Sequence, residues 1–302
     1  MTFDVVFLGT GAAVPVPSRG TTSQFLDIHG HTYLIDAGEG VQLALRNNKR
    51  RFQKLKGVFI SHMHGDHVLG LPGLLSTMSL LGRQEPIDIW GPPDLDGWLR
   101  HTWGSIQAHL SFDVRVHEWS QSEVQTLCEV GHYRLRSIPV KHRIPCCGLR
   151  VEEHSLPWKL NGQKAREARL PFHVRQALKR GESIVFEDRE LKPALWCTPP
   201  REARSYVYSA DTRPCETLRE ASQGATLLYH DATFNDADAE RAKSTHHSTT
   251  TEAARLARRA EVQTLMLGHV SLRYKDLEAL RQEALKEHPQ VVLAKDGLQW
   301  RL

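Results

Sequence analysis

Short apolar runs, bounded by glycine, proline or polar residues, recur along the chain and predict strands. Residues 3–8 and 23–28 alternate or cluster apolar side chains, as strands do when they pack on a core. The same pattern predicts further strands at residues 31–40, where the run closes on a turn, and at 58–60, 86–92, 133–140, 205–210, 226–229 and 263–267.

Apolar residues at helical spacing fill several of the intervals between these runs. They predict helices at residues 41–56, 69–81, 249–260 and 274–287. The N-terminal half is mostly strand, whereas the second half interleaves strands with helices. This indicates an α/β (α+β) protein in which two mixed sheets face each other and helices cover the outside. Because 302 residues without a break in composition can share one core, we expect a single domain over residues 1–302.

Several predicted strands end in residues that can bind metals. The strand at 58–60 runs into residues 61–67, a segment that carries three histidines and one aspartate. Other strands deliver a histidine or an aspartate directly after their last apolar residue, at positions 142, 211, 230, 231 and 269. Polar groups gathered at buried strand ends are unfavourable unless a partner satisfies them, and a cation satisfies several together.

The grouped residues are numerous enough to hold two cations. Such a pair, about 3.5–4 Å apart, needs roughly seven protein ligands, one of which is best a bridging carboxylate. We assign His62, His64 and His142 to one ion, Asp66, His67 and His269 to the other, and Asp211 to both. Imidazole and carboxylate ligands without thiolates favour Zn²⁺, with Mn²⁺ as the alternative.

The chemistry expected of such a site is hydrolysis. A water held between two cations loses its proton near neutral pH, and Asp66 lies within reach as a general base. Because the cations neutralise phosphoryl charge, a phosphodiester suits the site. Of the two histidines before the helix at 249–260, His246 and His247, either can protonate a leaving oxygen. Asp231 either orients this histidine or has a structural role.

The overall composition excludes several classes of protein. A net charge of +4 does not by itself imply a nucleic-acid partner.

No apolar stretch approaches the length of a membrane span, and the N-terminal residues show neither a basic leader nor a cleavage site. We therefore expect a cytoplasmic protein that does not bind a membrane. The five cysteines form no C-x-x-C pair, which argues against disulfides and against a thiolate zinc site.

Stretches spread over nearly the whole chain resemble the metallo-β-lactamase superfamily and, within it, the ribonuclease Z family. The run at 62–67 is specific only to the superfamily. The stretches GEG, DTRPC, HDATF, HST and SxRY are together specific to the ribonuclease Z branch; they lie at residues 38–40, 211–215, 230–234, 247–249 and 271–274. Residues 7–15, FLGTGAAVP, belong to the same resemblance.

The resemblance implies a fold, an activity and an assembly. It implies a four-layer αββα sandwich with two zinc ions per subunit, held by the seven residues assigned above. Asp66 would accept the proton, and His247 rather than His246 would be the second catalytic histidine. Members of the family are usually homodimers that remove the 3′ trailer from precursor tRNA, leaving a 3′-hydroxyl on the tRNA and a 5′-phosphate on the trailer.

The chain departs from the family pattern in three places. Asp231 stands where the family has glutamate, and the loop that often ends in Arg-Asn reads Arg19-Gly20. Where many bacterial members carry a Gly/Pro-rich arm, residues 158–182 have seven basic and two acidic side chains and no Gly-Pro elements. We therefore expect a shorter, stiffer or partly helical arm, within an insert at about 155–195, whose RNA-binding residues are Arg175, Lys179 and Arg180.

Two other functions are compatible with parts of the sequence. A metallo-hydrolase of the same fold can act on a small phosphodiester, a sulfate ester, a thioester or a lactam, and the missing Gly/Pro arm elements favour this reading. The non-enzymatic hypothesis is an RNA-binding scaffold with a degenerate metal site. The presence of every expected ligand argues against this hypothesis.

Overall fold

The computed structural model describes residues 2–302. Its strands are β1 (Phe3–Gly9), β2 (Ser23–Ile28), β3 (His31–Ala37), β4 (Leu55–Phe59), β5 (Ile87–Gly91), β6 (Val114–Glu118), β7 (Gln125–Val130), β8 (Tyr133–Pro139), β9 (Cys147–Glu153), β10 (Lys159–Leu160), β11 (Ile184–Phe186), β12 (Arg189–Leu191), β13 (Cys197–Thr198), β14 (Ser205–Tyr208), β15 (Leu227–Asp231), β16 (Thr264–Gly268), β17 (Val291–Leu293) and β18 (Gln299–Arg301).

The helices lie between these strands. They are α1 (Val41–Asn47), α2 (Gly65–Val68), α3 (Leu71–Leu80), α4 (Leu95–Ser105), α5 (Gly162–Glu167), α6 (Phe172–Lys179), α7 (Pro193–Trp196), α8 (Glu216–Ala221), α9 (Ala239–Thr245), α10 (Thr250–Arg259) and α11 (Leu277–Leu285). Two 3₁₀ turns cover Phe52–Lys54 and Asp236–Asp238.

Two seven-stranded sheets carry the fold. The first has the strand order β18-β1-β2-β3-β4-β5-β6, and the second has the order β17-β16-β15-β14-β9-β8-β7. Strands β3 to β6 are parallel neighbours in the first sheet, as are β14 to β17 in the second. Since parallel strands end at the same edge of a sheet, the residues that follow them collect there.

Each sheet is covered by helices on one face. Buried Leu45, Leu74 and Leu99 bring α1, α3 and α4 onto the first sheet. Leu218 of α8, the alanine-rich face of α10 and Ala284 of α11 pack on the second sheet. The other faces meet in between, where the rings of Phe7 and Tyr229 stack at 5.5 Å. The predicted four-layer αββα sandwich is confirmed.

One predicted helix is too long. The helix expected at 41–56 ends at Asn47, because Lys49 adopts a positive φ of 55° and turns the chain. A short 3₁₀ turn follows, and the chain enters β4 at Leu55, which is buried and pairs with β3. The apolar positions 52 and 55 therefore belong to a turn and a strand, although their spacing also fits a helix.

A second compact unit comprises Glu129–Arg134 and Glu152–Arg204, and the remaining residues form the first. The second unit contains α5 to α7 and the two small sheets β10-β13 and β11-β12. Ala165, Leu170, Val174, Leu178, Leu191 and Cys197 form its own small core. The insert at 155–195 lies within this unit, and its expected partly helical character is observed in α5 and α6.

Two expectations from composition can be compared with the fold. Within residues 2–302, no helix combines the length and the apolar character needed to cross a membrane. All five cysteines are free, and Cys146, Cys147 and Cys197 are buried, as the lack of paired spacing predicts.

Candidate metal centre

The first group of candidate ligands contains three histidines and one oxygen of an aspartate. Nδ1 of His64 lies 3.0 Å from Nε2 of His62 and 3.2 Å from Nε2 of His142. Oδ2 of Asp211 lies 3.7 Å from Nε2 of His62. One donor atom from each of these four residues falls within 4.8 Å of the others, a separation that fits one shared cation.

A second group lies beside the first and shares Asp211 with it. Oδ1 of Asp211 is 3.3 Å from Nε2 of both His67 and His269. Oδ2 of Asp66 is 3.3 Å from Nε2 of His269 and 3.6 Å from Nε2 of His67. The two oxygens of Asp211 thus face different groups, which is the geometry expected of a bridging carboxylate. The structure brings together all seven residues predicted as ligands.

The environment of the histidines tests whether this site suits a cation. Nε2 of His67 is buried and has no hydrogen-bond partner among residues 2–302. An orphaned nitrogen of this kind is unfavourable unless an ion meets it. Although burial opposes protonation, Asp211, Asp36 and Asp66 raise the pKa of His67 well above its usual range, so this position attracts positive charge, which a bound cation would supply. Burial also lowers the pKa of His62 well below its usual range and that of His142 to about 4, so both are neutral imidazoles near pH 7. The site therefore fits a divalent metal.

Asp36 holds His67 in the orientation that a ligand needs. Nδ1 of His67 donates to Oδ2 of Asp36 at 2.7 Å, so Nε2 is left to face Asp211. Asp36 also accepts from the backbone N–H and the hydroxyl of Ser61, each at 2.7 Å, and from Tyr208 at 2.6 Å. These four bonds satisfy a fully buried carboxylate.

His62 and His142 are oriented in the same way, whereas His64 turns its Nδ1 toward the group and its Nε2 toward Arg143. Nδ1 of His62 lies 2.9 Å from the hydroxyl of Ser61, which already donates to Asp36, so the imidazole is the donor there. Nδ1 of His142 donates to the carbonyl of His246 at 3.1 Å. In each case the tautomer leaves Nε2 free as a ligand.

Charge balance favours ionised carboxylates at the centre. Burial alone would raise the pKa of Asp66, but His67 and a hydrogen bond with His269 outweigh it and hold that pKa below its usual range. Burial likewise opposes ionisation of Asp211, but the neighbouring His269 and His67 outweigh it and hold the pKa of Asp211 well below its usual range. Both aspartates are therefore charged acceptors at neutral pH.

His247 and Asp231 form a hydrogen-bonded pair next to the ligands. Nδ1 of His247 donates to Oδ2 of Asp231 at 2.8 Å, and its ring stacks on His269 with centroids 5.2 Å apart. Although burial opposes protonation, Asp231 raises the pKa of His247 to about 9. Asp231 also accepts from the backbone N–H of Thr212 and Thr233, so its role is both structural and orienting.

The two adjacent histidines, which are equivalent on chemistry alone, take different places. His247 lines the cleft that contains Asp66, Asp211 and His269. His246 has a positive φ of 62° at the end of α9 and lines a different cavity. Only His247 of this pair therefore faces the candidate centre.

The cleft has a volume of about 510 Å³ and a basic rim. Apart from the histidines and the candidate ligands Asp66 and Asp211, its charged lining consists of Arg143, Arg241, Arg273 and Glu39. A rim of this charge attracts an anionic substrate toward the grouped ligands.

The residues predicted to bind RNA lie elsewhere in the chain, in the second unit. Arg175 and Lys179 are on α6, and Arg180 directly follows it. Nε of Arg175 donates to the carbonyl of Leu170 at 2.6 Å, and Arg180 pairs with Glu182 at 2.7 Å. Two of the three cations are therefore already engaged within the unit.

Solved structures of similar fold place the protein in a class. The short form of human tRNase Z (ELAC1) superposes with a TM-score of 0.71 at 26% identity, covering 98% of each chain. The metallo-β-lactamase fold protein YhfI from Bacillus subtilis has a TM-score of 0.71 at 18% identity and covers both chains completely, which supports the fold. Together the fold and the grouped His and Asp side chains define a hydrolase of the metallo-β-lactamase fold.

Curated relatives narrow this class to a family. Ribonuclease Z of Parabacteroides distasonis is 37% identical over 297 residues, covering 98% of each chain. Ribonuclease Z of Methanosarcina mazei is 35% identical and covers 97% of this chain and 95% of its own. The chain belongs to the ribonuclease Z family of hydrolytic endoribonucleases, as its motifs predict. Residues 3–157, about half of the chain, also match the family model described as "Anti-Pycsar protein Apyc1".

Proposed function

We propose that the protein removes the 3′ trailer from precursor tRNA, leaving a 3′-hydroxyl on the tRNA and a 5′-phosphate on the trailer. The substrate is inferred from relatives named ribonuclease Z that match over nearly the full length. The proposal of a two-metal hydrolytic site rests on Asp211, whose two carboxylate oxygens face two different groups of histidines.

Seven side chains would hold two cations, for which zinc is the best match to the donor set and manganese the alternative. Those that would hold the metals are His62, His64, Asp66, His67, His142, Asp211 and His269. When bound, the cations would supply a nucleophile at neutral pH and neutralise charge on the phosphoryl group.

The protein's own residues would move the protons. Asp66 is ionised and borders the cleft, so it can accept a proton from the attacking group. Because Nδ1 of His247 is bound to Asp231, its Nε2–H remains to protonate the leaving 3′-oxygen. A pKa of about 9 keeps His247 charged at neutral pH, as this role requires. Asp231 is the positioning residue for that step.

The assembly is proposed from the family resemblance. Family members are usually homodimers, and we propose the same state for this protein, acting in the cytoplasm. Arg175, Lys179 and Arg180 would contact the phosphate backbone of the tRNA from the second unit. The absence of Gly-Pro elements from residues 158–182 would make this arm differ from that of many bacterial members.

One observation favours a second candidate, a metallo-hydrolase of a small phosphodiester. The family model that matches residues 3–157 carries a name unrelated to tRNA, and this half contains most of the candidate ligands. The half of the chain that carries five of the seven candidate ligands therefore matches a family other than ribonuclease Z, which supports testing a second substrate.

Incubation of the zinc-loaded protein with a CCA-less precursor tRNA tests the proposal. We expect one cut at the junction with the trailer, with the product ends stated above, and complete loss of cleavage after chelation. Turnover of a chromogenic phosphodiester in the same preparation, without any cut in the precursor, would refute tRNA processing and favour the second candidate.

A further inference from the structure

A second cavity adjoins the candidate metal centre and is larger than the cleft. Its volume is about 690 Å³, compared with about 510 Å³ for the cleft. Its lining contains six cations, which are Lys141, Arg213, Arg219, Lys243, Arg255 and Arg259, against Glu216 and Glu252. We call it the basic cavity. An excess of positive charge in its lining attracts anions.

Two short segments contribute cations to both the cleft and the basic cavity. On either side of His142, Arg143 lines the cleft and Lys141 lines the basic cavity. On α9, Arg241 lines the cleft and Lys243 lines the basic cavity. The segments 141–143 and 241–243 therefore contribute to the walls of both spaces and place positive charge in each.

Not all of these cations are occupied by acidic neighbours. The two nitrogens of Arg213 bind Glu252, and one of them also donates to the carbonyl of His247 at 2.7 Å, so this pair forms part of the wall. Arg219 and Arg259 both pair with the exposed Glu216, and Arg219 also lies 3.6 Å from Glu220. Arg255 pairs with Glu287 at 2.9 Å, so four of the six cations already have acidic partners.

The two lysines of the cavity have no such neighbour. Within residues 2–302, the ammonium groups of Lys141 and Lys243 have no ion-pair partner, and both side chains are exposed. The basic cavity thus keeps charge available for a ligand, next to a site whose substrate carries phosphates along a chain.

We propose that the basic cavity binds the phosphate backbone of the single-stranded RNA that flanks the scissile bond. This inference rests on the proposed function, since it assigns a second contact to the same substrate. Single-stranded nucleic acids are held where cations follow successive phosphates, and cations line both the cleft and the basic cavity along the segments 141–143 and 241–243. A small anion such as a nucleotide would use the charges of one space only.

The test compares two double variants in the metal-free protein, where RNA binds but is not cut. Lys243→Gln with Arg259→Gln removes two cavity cations on exposed side chains, so the fold should be kept. Lys56→Gln with Lys286→Gln is the control, because it removes the same charge from exposed positions outside both sites. The measurement is the equilibrium affinity for a labelled precursor tRNA with a single-stranded trailer, over a range of salt concentrations.

We expect the cavity variant to bind about tenfold more weakly than the control. Its salt slope should be smaller by between roughly 0.7 and 1.4, because each single-strand phosphate contact contributes about 0.7 and Arg259 is also paired with Glu216. Equal affinity and slope in the two variants would overturn the proposal. So would an unchanged RNA affinity together with weaker binding of ATP, which would make the cavity a small-anion site.

Cys215 offers a second readout in the unmodified protein. Its thiol is free, partly exposed and lines the basic cavity. Bound precursor tRNA should therefore slow its alkylation at least about fivefold. Cys128, whose pKa is raised to about 11 by burial, lies outside the cavity and serves as the internal control. Alkylation of Cys215 at the same rate with and without RNA would contradict the proposal.

These tests remain separate from the test of the proposed function. A protein that cuts no precursor tRNA when loaded with zinc fails the proposed function. A protein that cuts the precursor, but whose cavity variant matches its control in metal-free binding, fails only this inference.

Discussion

The candidate metal centre and the basic helix of the second unit present two ways of arranging charged residues. At the centre, buried side chains are held by hydrogen bonds to buried neighbours, as His67 is by Asp36. On α6, the side chain of Arg175 is only half-buried, and Arg180 and Glu182 form an exposed pair. At the metal centre, the function is therefore inferred from the geometry of the side chains. On α6 it is inferred from the net charge alone.

The energetic consequences of this difference are large. A buried carboxylate such as Asp211 has to be matched by opposite charge. Removing it leaves the positive groups around it without a partner, which is strongly destabilising. An exposed ion pair is screened by water and salt and contributes about 0–1 kcal/mol. Substitutions should therefore have effects that fall steeply from the centre to α6, and the predictions below follow that order.

The largest effect is expected from Asp211→Asn. The amide keeps the shape of the side chain but removes the charge that both groups of histidines share. Activity on precursor tRNA should fall at least about 10³-fold, and bound metal should fall by half or more. Elemental analysis and single-turnover cleavage measure the two effects, and Asp96→Asn, which removes a carboxylate from an exposed pair with Arg100, is the matched control.

Full metal content and normal cleavage in Asp211→Asn would remove the basis for a two-metal centre. Loss of activity with unchanged metal content would instead restrict Asp211 to a role in binding substrate.

The next effect concerns Asp36, which supports the site without lying in it. Asp36→Asn should weaken metal binding by about 10–100-fold, because His67 loses the acceptor that fixes its ring. Tyr208→Phe is the matched control, since it removes another bond to Asp36 and leaves His67 in place. Metal titration followed by calorimetry measures the affinity, and thermal unfolding reports the fold. Equal affinities in both variants would show that Asp36 does not orient the ligand.

The role of Asp36 illustrates which parts of the site the sequence could reveal. The seven candidate ligands follow predicted strands directly, so local patterns find them. Asp36 instead lies within β3, and its role depends on contacts with Ser61 and Tyr208, which lie 25 and 172 residues away. The sequence places Asp36 in a predicted strand, just before the GEG stretch at 38–40, and assigns it no role.

Two other features show the same limit. His246 and His247 have the same chemistry and adjacent positions, and only the positive φ of His246 sends them to different cavities. The helix expected at 41–56 is shorter because β3 takes Leu55 as part of a parallel partner strand. In both cases tertiary structure decides between alternatives that a local pattern leaves equal. The layers of the fold, in contrast, follow from apolar periodicity and could be predicted.

Asp231→Asn should change the pH dependence of cleavage. Asp231 raises the pKa of His247 to about 9, and a proton donor is active below its pKa, so wild-type activity should be lost as the pH rises through about 9. Without the charge, the pKa should return toward the ordinary value near 6.5, and activity at pH 8 should fall roughly 30-fold. A pH profile of single-turnover cleavage tests this.

The acid side of that profile provides the control. Below pH 6 His247 is protonated in both proteins, so the difference between them should shrink there. A loss that is equal at all pH values would assign Asp231 to structure alone, and an unchanged alkaline limb would exclude His247 as the proton donor.

The smallest effect, and one of opposite sign, is expected on α6. Glu182→Gln releases Arg180 from its exposed pair, so RNA affinity should rise by up to about twofold and its salt slope should steepen. The triple variant Arg175→Gln, Lys179→Gln, Arg180→Gln should lower the affinity by about threefold, because Arg175 is already engaged with the carbonyl of Leu170. If both variants bind a labelled precursor tRNA like the wild type, the charge of this helix has no part in RNA binding, and the preference for tRNA has to come from the first unit.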